Sequence, residues 1–499
     1  MVNSRATLCI DAGTTLIKAV VFDASGHELV VASRPTTVAS PMPGFAEQDM
    51  MSVWRAVIES AREAVERSPH PIERISVTAQ GDGAWLLGRD GRPVRPAILW
   101  NDARSREVIA RWRDDGTLDR AFAINGSLSN LGLPNAILST LIADDPEALD
   151  RVDSVLTCGS WLFYQLTGVV GLHPSEASAP WLDVSRGEYS PELLDLYGLS
   201  SNRDLLPPVL DDSSVASTLD IDAATALGLP RGIPVVLAPY DVVATAAGGG
   251  TVDAGSAFCI LGTTLCTGVV VDRPDTTGTP SGLTLRIADD GPFVRAFPTL
   301  AGTGVIEWMA RIVGAADAPD LVRLAALAPP GSAGLTVWPY FSPAGERAPF
   351  LDEDARGVIA GLSFEHSREH LARASVEGLA HVVRDCLAAA PETPVMLTLS
   401  GGGAGSDLWC ETLADVTGVT TVRTGDSQIG AKGALIYAAV ATGEFDSVGA
   451  AARELVVTTE RFEPHAELRS MYDSRHTDFV ASRAAFQPRW ATWAAHGRG

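Results

Sequence analysis

The chain is short of the features that mark several broad classes of protein. Its 499 residues include six cysteines, Cys9, Cys158, Cys259, Cys266, Cys386 and Cys410, with no C-x-x-C pair among them. That spacing argues against a disulfide framework or a cysteine-built zinc site and makes buried free thiols the expectation. No apolar run reaches the roughly 18 residues that a membrane helix needs. Met1-Val2-Asn3-Ser4-Arg5 leads straight into a strand pattern rather than into a leader. A soluble cytoplasmic protein is therefore expected. Positive charge is also scarce: 38 Lys and Arg stand against 61 Asp and Glu, for a formal charge of −23. With no basic cluster in the chain, a nucleic-acid surface is excluded, and an anionic ligand must be held locally by backbone dipoles, a metal or a few cations. His366, His370 and His381 fall near helical spacing but have no acidic partner in a metal motif, so surface or core placement is expected for them.

What is present is organised around residues 9–23. An apolar run ends in Asp11, Gly13, Thr14 and Thr15, and a second apolar run follows, which reads as a β-hairpin with a polar turn. Such a turn can aim backbone N–H groups and two hydroxyls at a phosphate while the aspartate holds a metal or a water. A second copy lies 249 residues on, where Gly262-Thr263-Thr264-Leu265 matches Gly13-Thr14-Thr15-Leu16 and Val269-Val270-Val271-Asp272 matches Val20-Val21-Phe22-Asp23. Internal duplication follows. The copies differ at one telling place: Asp11 falls on Ile260, so only the first turn keeps a carboxylate.

Between the copies, a helix capped by Asp49 is expected to end before Pro69, and a strand over 72–79 leads into Gln80-Gly81-Asp82-Gly83-Ala84-Trp85. Trp100-Asn101-Asp102-Ala103-Arg104 follows. A strand over 235–238 ends at Asp241, and the triple glycine 248–250 is the expected domain boundary. After the second copy come the polar turn Gly345-Glu346-Arg347-Ala348-Pro349-Phe350, a helix over 368–389 and a strand over 395–399. The strand delivers Gly401-Gly402-Gly403-Ala404-Gly405 to a capped helix, a nucleotide-site arrangement. A helix follows at 430–442, and residues 445–499 read as a peripheral tail.

Taken together, these motifs resemble the FGGY carbohydrate kinase family of the actin/hexokinase-like ATPase superfamily, over about Leu8 to Gly443, with loops closest in style to erythritol-kinase-like and xylulokinase-like members. The resemblance implies an α/β fold of two ribonuclease-H-like domains with an active-site cleft between them. Residues 1–248 would form the sugar-binding domain with the catalytic aspartate at its end, 249–445 the nucleotide-binding domain, and 446–499 an extension packed on the second. It implies ATP and Mg2+ as cofactors and a small sugar or polyol as substrate. By matching, Asp241 is the general base and, with Asp11, a metal-site residue. Gly13, Thr14, Thr15, Lys18, Gly262, Thr263 and Thr264 would hold phosphates, and Gly402, Gly403 and Ala404 would line the adenosine site. Substrate would meet Gln80, Asp82, Trp85, Trp100, Asp102, Arg104 and Asp241, with Asp82 accepting from hydroxyls and Trp85 packing a sugar face. The chain has Gly81-Asp82 where xylulose kinases typically carry Met-His, and Val242 where they carry Asn after the aspartate, which weakens a D-xylulose assignment; a linear polyol or an open-chain ketose fits the loop, with tetritols, pentuloses and pentitols all open. A homodimer is common among similar kinases. A partner-stimulated ATPase and a silent sugar sensor are the competing classes. The substrate loops disfavour the first, and intact Asp11 and Asp241 disfavour the second.

Overall fold

A computed structural model of the chain describes residues 5–288 and 291–496. They form two compact units. One holds the chain up to Val252 together with Asp272–Val294 and Asp426–Val457; the other holds Asp253–Val271, Arg295–Gly425 and the chain from Thr458 onward. Residues 426–457, which straddle the boundary drawn at 445 from the sequence, pack with the first unit.

The first unit is built on a six-stranded sheet in the order Ala216–Thr218, Pro234–Leu237, Ile72–Ala79, Ala6–Ala12, Leu16–Asp23 and Glu28–Pro35. The hairpin pairs Asp11 with Lys18 and Ala12 with Ile17. Ala6–Ala12 runs parallel to Ile72–Ala79, which runs parallel to Pro234–Leu237. These strands are apolar on both faces because helices cover both sides, as parallel sheets require. Leu8, Ile10, Ile75, Val77 and Val235 are fully buried. On one side lies helix Met50–Arg67, whose N-cap Asp49 accepts from the Ser52 N–H, as the sequence spacing suggests. Helices Asp241–Gly248 and Ile429–Ala441 also belong to this unit. They meet backbone to backbone: a Cβ on Gly248 would lie 1.9 Å from the Ile429 carbonyl oxygen, and one on Gly433 1.8 Å from that of Ala244. The triple glycine therefore begins with a packing residue.

The second unit repeats the plan. Its sheet contains, in sequence of pairing, Leu265–Val271, Ser256–Leu261, Met396–Ser400, Thr420–Thr424 and Thr458–Phe462. A hairpin again pairs with two successive parallel strands. The second turn is one residue tighter, pairing Leu261 with Leu265 where the first pairs Ala12 with Ile17.

The tail read as peripheral is a core element. Helix Arg469–His496 buries Tyr472, Phe479 and Trp490. Phe479 stacks on Trp338 at 5.4 Å and Trp490 on Phe350 at 5.7 Å. The helical period was hidden because a long polar helix with a narrow apolar stripe and an internal Pro488 reads as a tail. His381, on helix Arg368–Ala388, lies 1% exposed beneath it and stacks on His476 at 5.5 Å, consistent with the core option. Burial drives both imidazoles toward the neutral form, His476 down to about 4 and His381 well below the ordinary value, with His476, Arg475 and Arg384 adding to the effect on His381. A histidine with a depressed folded-state pKa takes up its proton more readily unfolded. The contribution of these two histidines to stability should then be full above about pH 6.5 and fall as the pH drops toward 4. Urea titrations across that range should show a falling midpoint, with a shallower fall in His476→Phe; an equal fall in both proteins would refute the assignment.

All six cysteines are buried free thiols. Among the described residues, no helix is long and apolar enough to cross a membrane.

Candidate active site

In the first unit, three parallel strands end side by side, and the loops leaving their carboxyl ends carry the polar motifs, the usual location for a site in an α/β sheet. Ala6–Ala12 gives Asp11 and the Gly13–Thr15 turn, Ile72–Ala79 gives Gln80–Gly83, and Pro234–Leu237 leads to Asp241. Backbone and side-chain bonds fasten these ends. The Gln80 N–H donates to the Ala12 carbonyl at 2.9 Å, the Ala238 N–H to that of Val77 at 2.9 Å, and the Thr78 hydroxyl to that of Pro239 at 2.7 Å. Gly81 sits against the ring of Tyr240, where a Cβ would fall 2.1 Å from Cδ2. Asp82 holds a left-handed φ of 55°, a conformation aspartate tolerates better than most residues.

Asp241 is the first residue of helix Asp241–Gly248. Its carboxyl is pushed up to about 8, first by burial and then by the neighbouring charges of Asp11, Asp82 and Glu176, with its local hydrogen bond to the Val242 N–H pulling the other way. Asp11 is also raised by burial, against the pull of Lys18, its partner across the hairpin. Lys18 and Lys432 are the only lysines in the sequence. Lys432 is committed elsewhere in the unit, to the Gly26 carbonyl and, at 3.0 Å, to Asp426. Asp11 lies beside the start of helix Ile429–Ala441, where a Cβ on Gly430 would come 3.1 Å from its Oδ2. Asp11, Asp82 and Glu176 thus all act on the Asp241 carboxyl. This donor set suits a divalent cation that keeps water and phosphate oxygens as its other ligands. Among the described residues, no group of three His, Cys, Asp or Glu side chains forms a ready-made metal cage, and Mg2+ needs only one or two carboxylates.

Thr14 and Gln80 belong to one network with Trp100. The Trp100 indole donates to the Thr14 hydroxyl at 2.9 Å, which donates to Gln80 Oε1 at 2.7 Å. Gln80 Nε2 donates to Gln48 Oε1 at 2.8 Å, and Gln48 returns a bond to the Thr14 carbonyl at 2.7 Å. Thr14 thus ties the turn to the Gln80 and Trp100 loops, while Thr15 is exposed.

Two sequence expectations need correction. Trp85 is not placed to pack a sugar: it starts strand Trp85–Gly88, is fully buried, and lies against Trp161 at 5.5 Å in the core of the unit. Asp102 is likewise interior, at 1% exposed. Its two oxygens accept from the Ala46 N–H at 2.7 Å and from Arg104 at 2.8 and 2.9 Å. Arg104 also reaches Glu47 at 2.7 Å and lies over the Phe45 ring at 4.4 Å. The pair braces the loop, since a buried bidentate ion pair keeps its partners engaged.

Glu176 and Gln48 were missed. Glu176 is 6% exposed on helix Pro174–Trp181 and accepts from the Ser160 hydroxyl at 2.8 Å. Burial pushes its carboxyl up to about 7. One acid in the otherwise small and neutral run Ser175–Ala179 was the available signal. Gln48 lay hidden beside the Asp49 cap.

In the second unit, the turn Gly262–Thr264 lies against the start of helix Thr303–Val313. The Thr303 N–H donates to the Gly262 carbonyl at 2.8 Å and that of Gly304 to Thr263 at 3.2 Å. Gly402, Gly403 and Ala404 lie in a short 3-10 turn, Gly402–Gly405, between strand Met396–Ser400 and helix Asp407–Thr417. Ser406 caps that helix through the Trp409 N–H at 3.3 Å, and Arg423 holds the Ala404 carbonyl at 2.9 Å.

Comparison with known proteins supplies the context. Residues 6–248 match the model of the FGGY family of carbohydrate kinases, N-terminal domain, and residues 257–442 that of its C-terminal domain. The chain is 33% identical to the erythritol kinase of Brucella abortus (strain 2308) over 509 aligned positions, covering 96% of each. It is 30% identical to the L-xylulose/3-keto-L-gulonate kinase of Escherichia coli (strain K12), covering 96% of this chain and 97% of that one. The fold superposes on a ligand-bound xylulose kinase structure from Lactobacillus acidophilus with a TM-score of 0.91 at 21% identity, covering 98% of this chain and 100% of the other.

Proposed function

Because the chain belongs to the FGGY family of carbohydrate kinases and is accordingly a phosphotransferase that uses ATP and acts on a sugar or polyol hydroxyl, we propose that its acceptor is a small linear polyol of the erythritol type or an open-chain pentulose. One observation carries the assignment of the chemistry: Asp241 stands at a helix start among Asp11, Asp82 and Glu176 at the carboxyl ends of parallel strands, with its carboxyl raised to about 8. A carboxylate made this basic takes a proton well from an alcohol whose oxygen is attacking a phosphoryl group.

In this reading Asp241 accepts the hydroxyl proton, while Gln80, Asp82 and Trp100 orient the acceptor. Asp11 and Asp241 would hold Mg2+, in part through water; when bound, the ion neutralises charge on the phosphates. Thr14, Thr15, Lys18 and the Gly262–Thr264 turn take phosphate oxygens, and Gly402, Gly403 and Ala404 border the adenosine. Similarity to the Brucella erythritol kinase, together with Asp82 and Val242 at the positions where xylulose kinases carry other residues, supports a tetritol or another pentulose ahead of D-xylulose. A coupled ADP-release screen over C4–C6 polyols and ketoses, with ATP and magnesium, is the test. The highest kcat/KM should fall on a tetritol or a pentulose other than D-xylulose. A clear preference for D-xylulose would overturn the substrate reading, and turnover on none of them would overturn the acceptor class.

A further inference from the structure

The turn Gly345–Phe350 is a dense polar motif to which the proposed reaction gives no role. Its Glu346 is 1% exposed, and its carboxylate accepts three backbone N–H groups: Leu300 at 2.6 Å and Arg347 at 2.9 Å on Oε1, and Ala301 at 3.3 Å on Oε2. An acid buried this deeply is retained only where its hydrogen bonds are well satisfied, and two of these three lead to one short segment.

That segment is the floor of the second phosphate turn. The Leu265 N–H donates to the Ala301 carbonyl at 2.9 Å, and the Thr299 N–H returns a bond to the Leu265 carbonyl at 2.9 Å. The Thr299 hydroxyl lies 2.8 Å from the Ala301 carbonyl and 3.2 Å from that of Leu265. Two residues on, Thr303 and Gly304 donate to the carbonyls of Gly262 and Thr263. In a trans peptide the carbonyl and the following N–H point in opposite directions. The N–H groups of Thr263 and Thr264 are therefore turned away from the helix start, and their direction is fixed by the 299–304 segment.

We infer that Glu346 is a positioning residue for the phosphate turn: it pins the Leu300–Ala301 backbone, and that backbone aims the Thr263 and Thr264 N–H groups at the nucleotide's phosphates. The inference rests on the reading of Gly262–Thr264 as a phosphate site. Glu346 touches no substrate; it acts through the peptide groups it holds. The buried C-terminal helix supports the same turn from behind, through Trp490 against Phe350 at 5.7 Å.

Calorimetric titration of the full-length protein with Mg·ATP and with adenosine tests this in the wild type, Glu346→Gln and Thr299→Val, with thermal unfolding recorded on the same samples. In E346Q an amide N–H faces a backbone N–H, so the clamp opens. Misplacing a charge-binding group in this way weakens phosphate binding by about tenfold or more, while adenosine should bind as before. T299V, which removes a neutral part of the same clamp and leaves no charge uncompensated, should show the same selective loss in smaller degree, and it decides the matter if E346Q does not fold. Equal weakening of ATP and adenosine, or unchanged ATP affinity in both variants, overturns the positioning role while leaving the kinase reading in place. A wild type that binds adenosine but gains nothing from the phosphates overturns the phosphate-site reading itself.

Discussion

Asp241→Asn should lower kcat by roughly 10²–10⁴-fold, the contribution typical of a positioned general base, while nucleotide still binds, with Asp11 left as the carboxylate on the Mg2+ side. The substitution keeps the shape of the side chain and removes its ability to accept a proton. Its effect on stability should have the opposite sign. Asp241 is raised to about 8 by burial and by Asp11, Asp82 and Glu176. The folded protein therefore holds this proton more tightly than the unfolded chain does, and stability contributed by the protonated form is lost as the pH rises from the carboxylate range through about 8. Asparagine carries no such penalty, so the variant should melt higher than the wild type at pH 8 and above. Lower activity with higher stability is the pattern expected when a strained charge is kept for chemistry. An inactive variant that is also less stable would point instead to a structural role.

Gly433→Ala should cost about 3 kcal/mol of stability, near the upper end for overpacking a close contact. The new methyl would meet the Ala244 carbonyl oxygen at 1.8 Å, and backbone cannot turn aside as a side chain can. The strain falls on helix Asp241–Gly248, which presents the base, and on helix Ile429–Ala441, which starts beside Asp11. Activity should fall more than the loss of folded protein explains, because small displacements of reacting groups are costly. Gly405→Ala is the control: its Cβ would meet nothing within 4 Å. Equal melting temperatures for the two variants would contradict the close helix crossing.

The sheets and the hairpin duplication were legible because parallel strands leave long apolar runs and their loops concentrate Asp, Gly and Thr. Asp11, Gln80 and Asp241 could be placed together because each follows such a run directly. Trp85 was misread for the same reason: it stands one step past a polar loop, where a strand resumes and its side chain turns into the core. Asp102 and Arg104 could not be told from ligands, since sequence does not show that Glu47 and the Ala46 N–H satisfy them. Glu176 carries no motif, and only folding brings its helix to Asp241. The packing of 426–457 on the first unit depends on glycine-to-backbone contacts across 185 positions, from Gly248 to Gly433, which no local pattern records.

Phosphorus NMR of the purified protein with ATP, magnesium and a tetritol tests the central assignment most directly. A phosphomonoester of the polyol should appear in step with ADP, with no inorganic phosphate, and should form at least about 10²-fold more slowly with D241N. ADP and inorganic phosphate released without the ester, at a rate indifferent to every C4–C6 acceptor offered, would contradict transfer to a polyol or sugar hydroxyl.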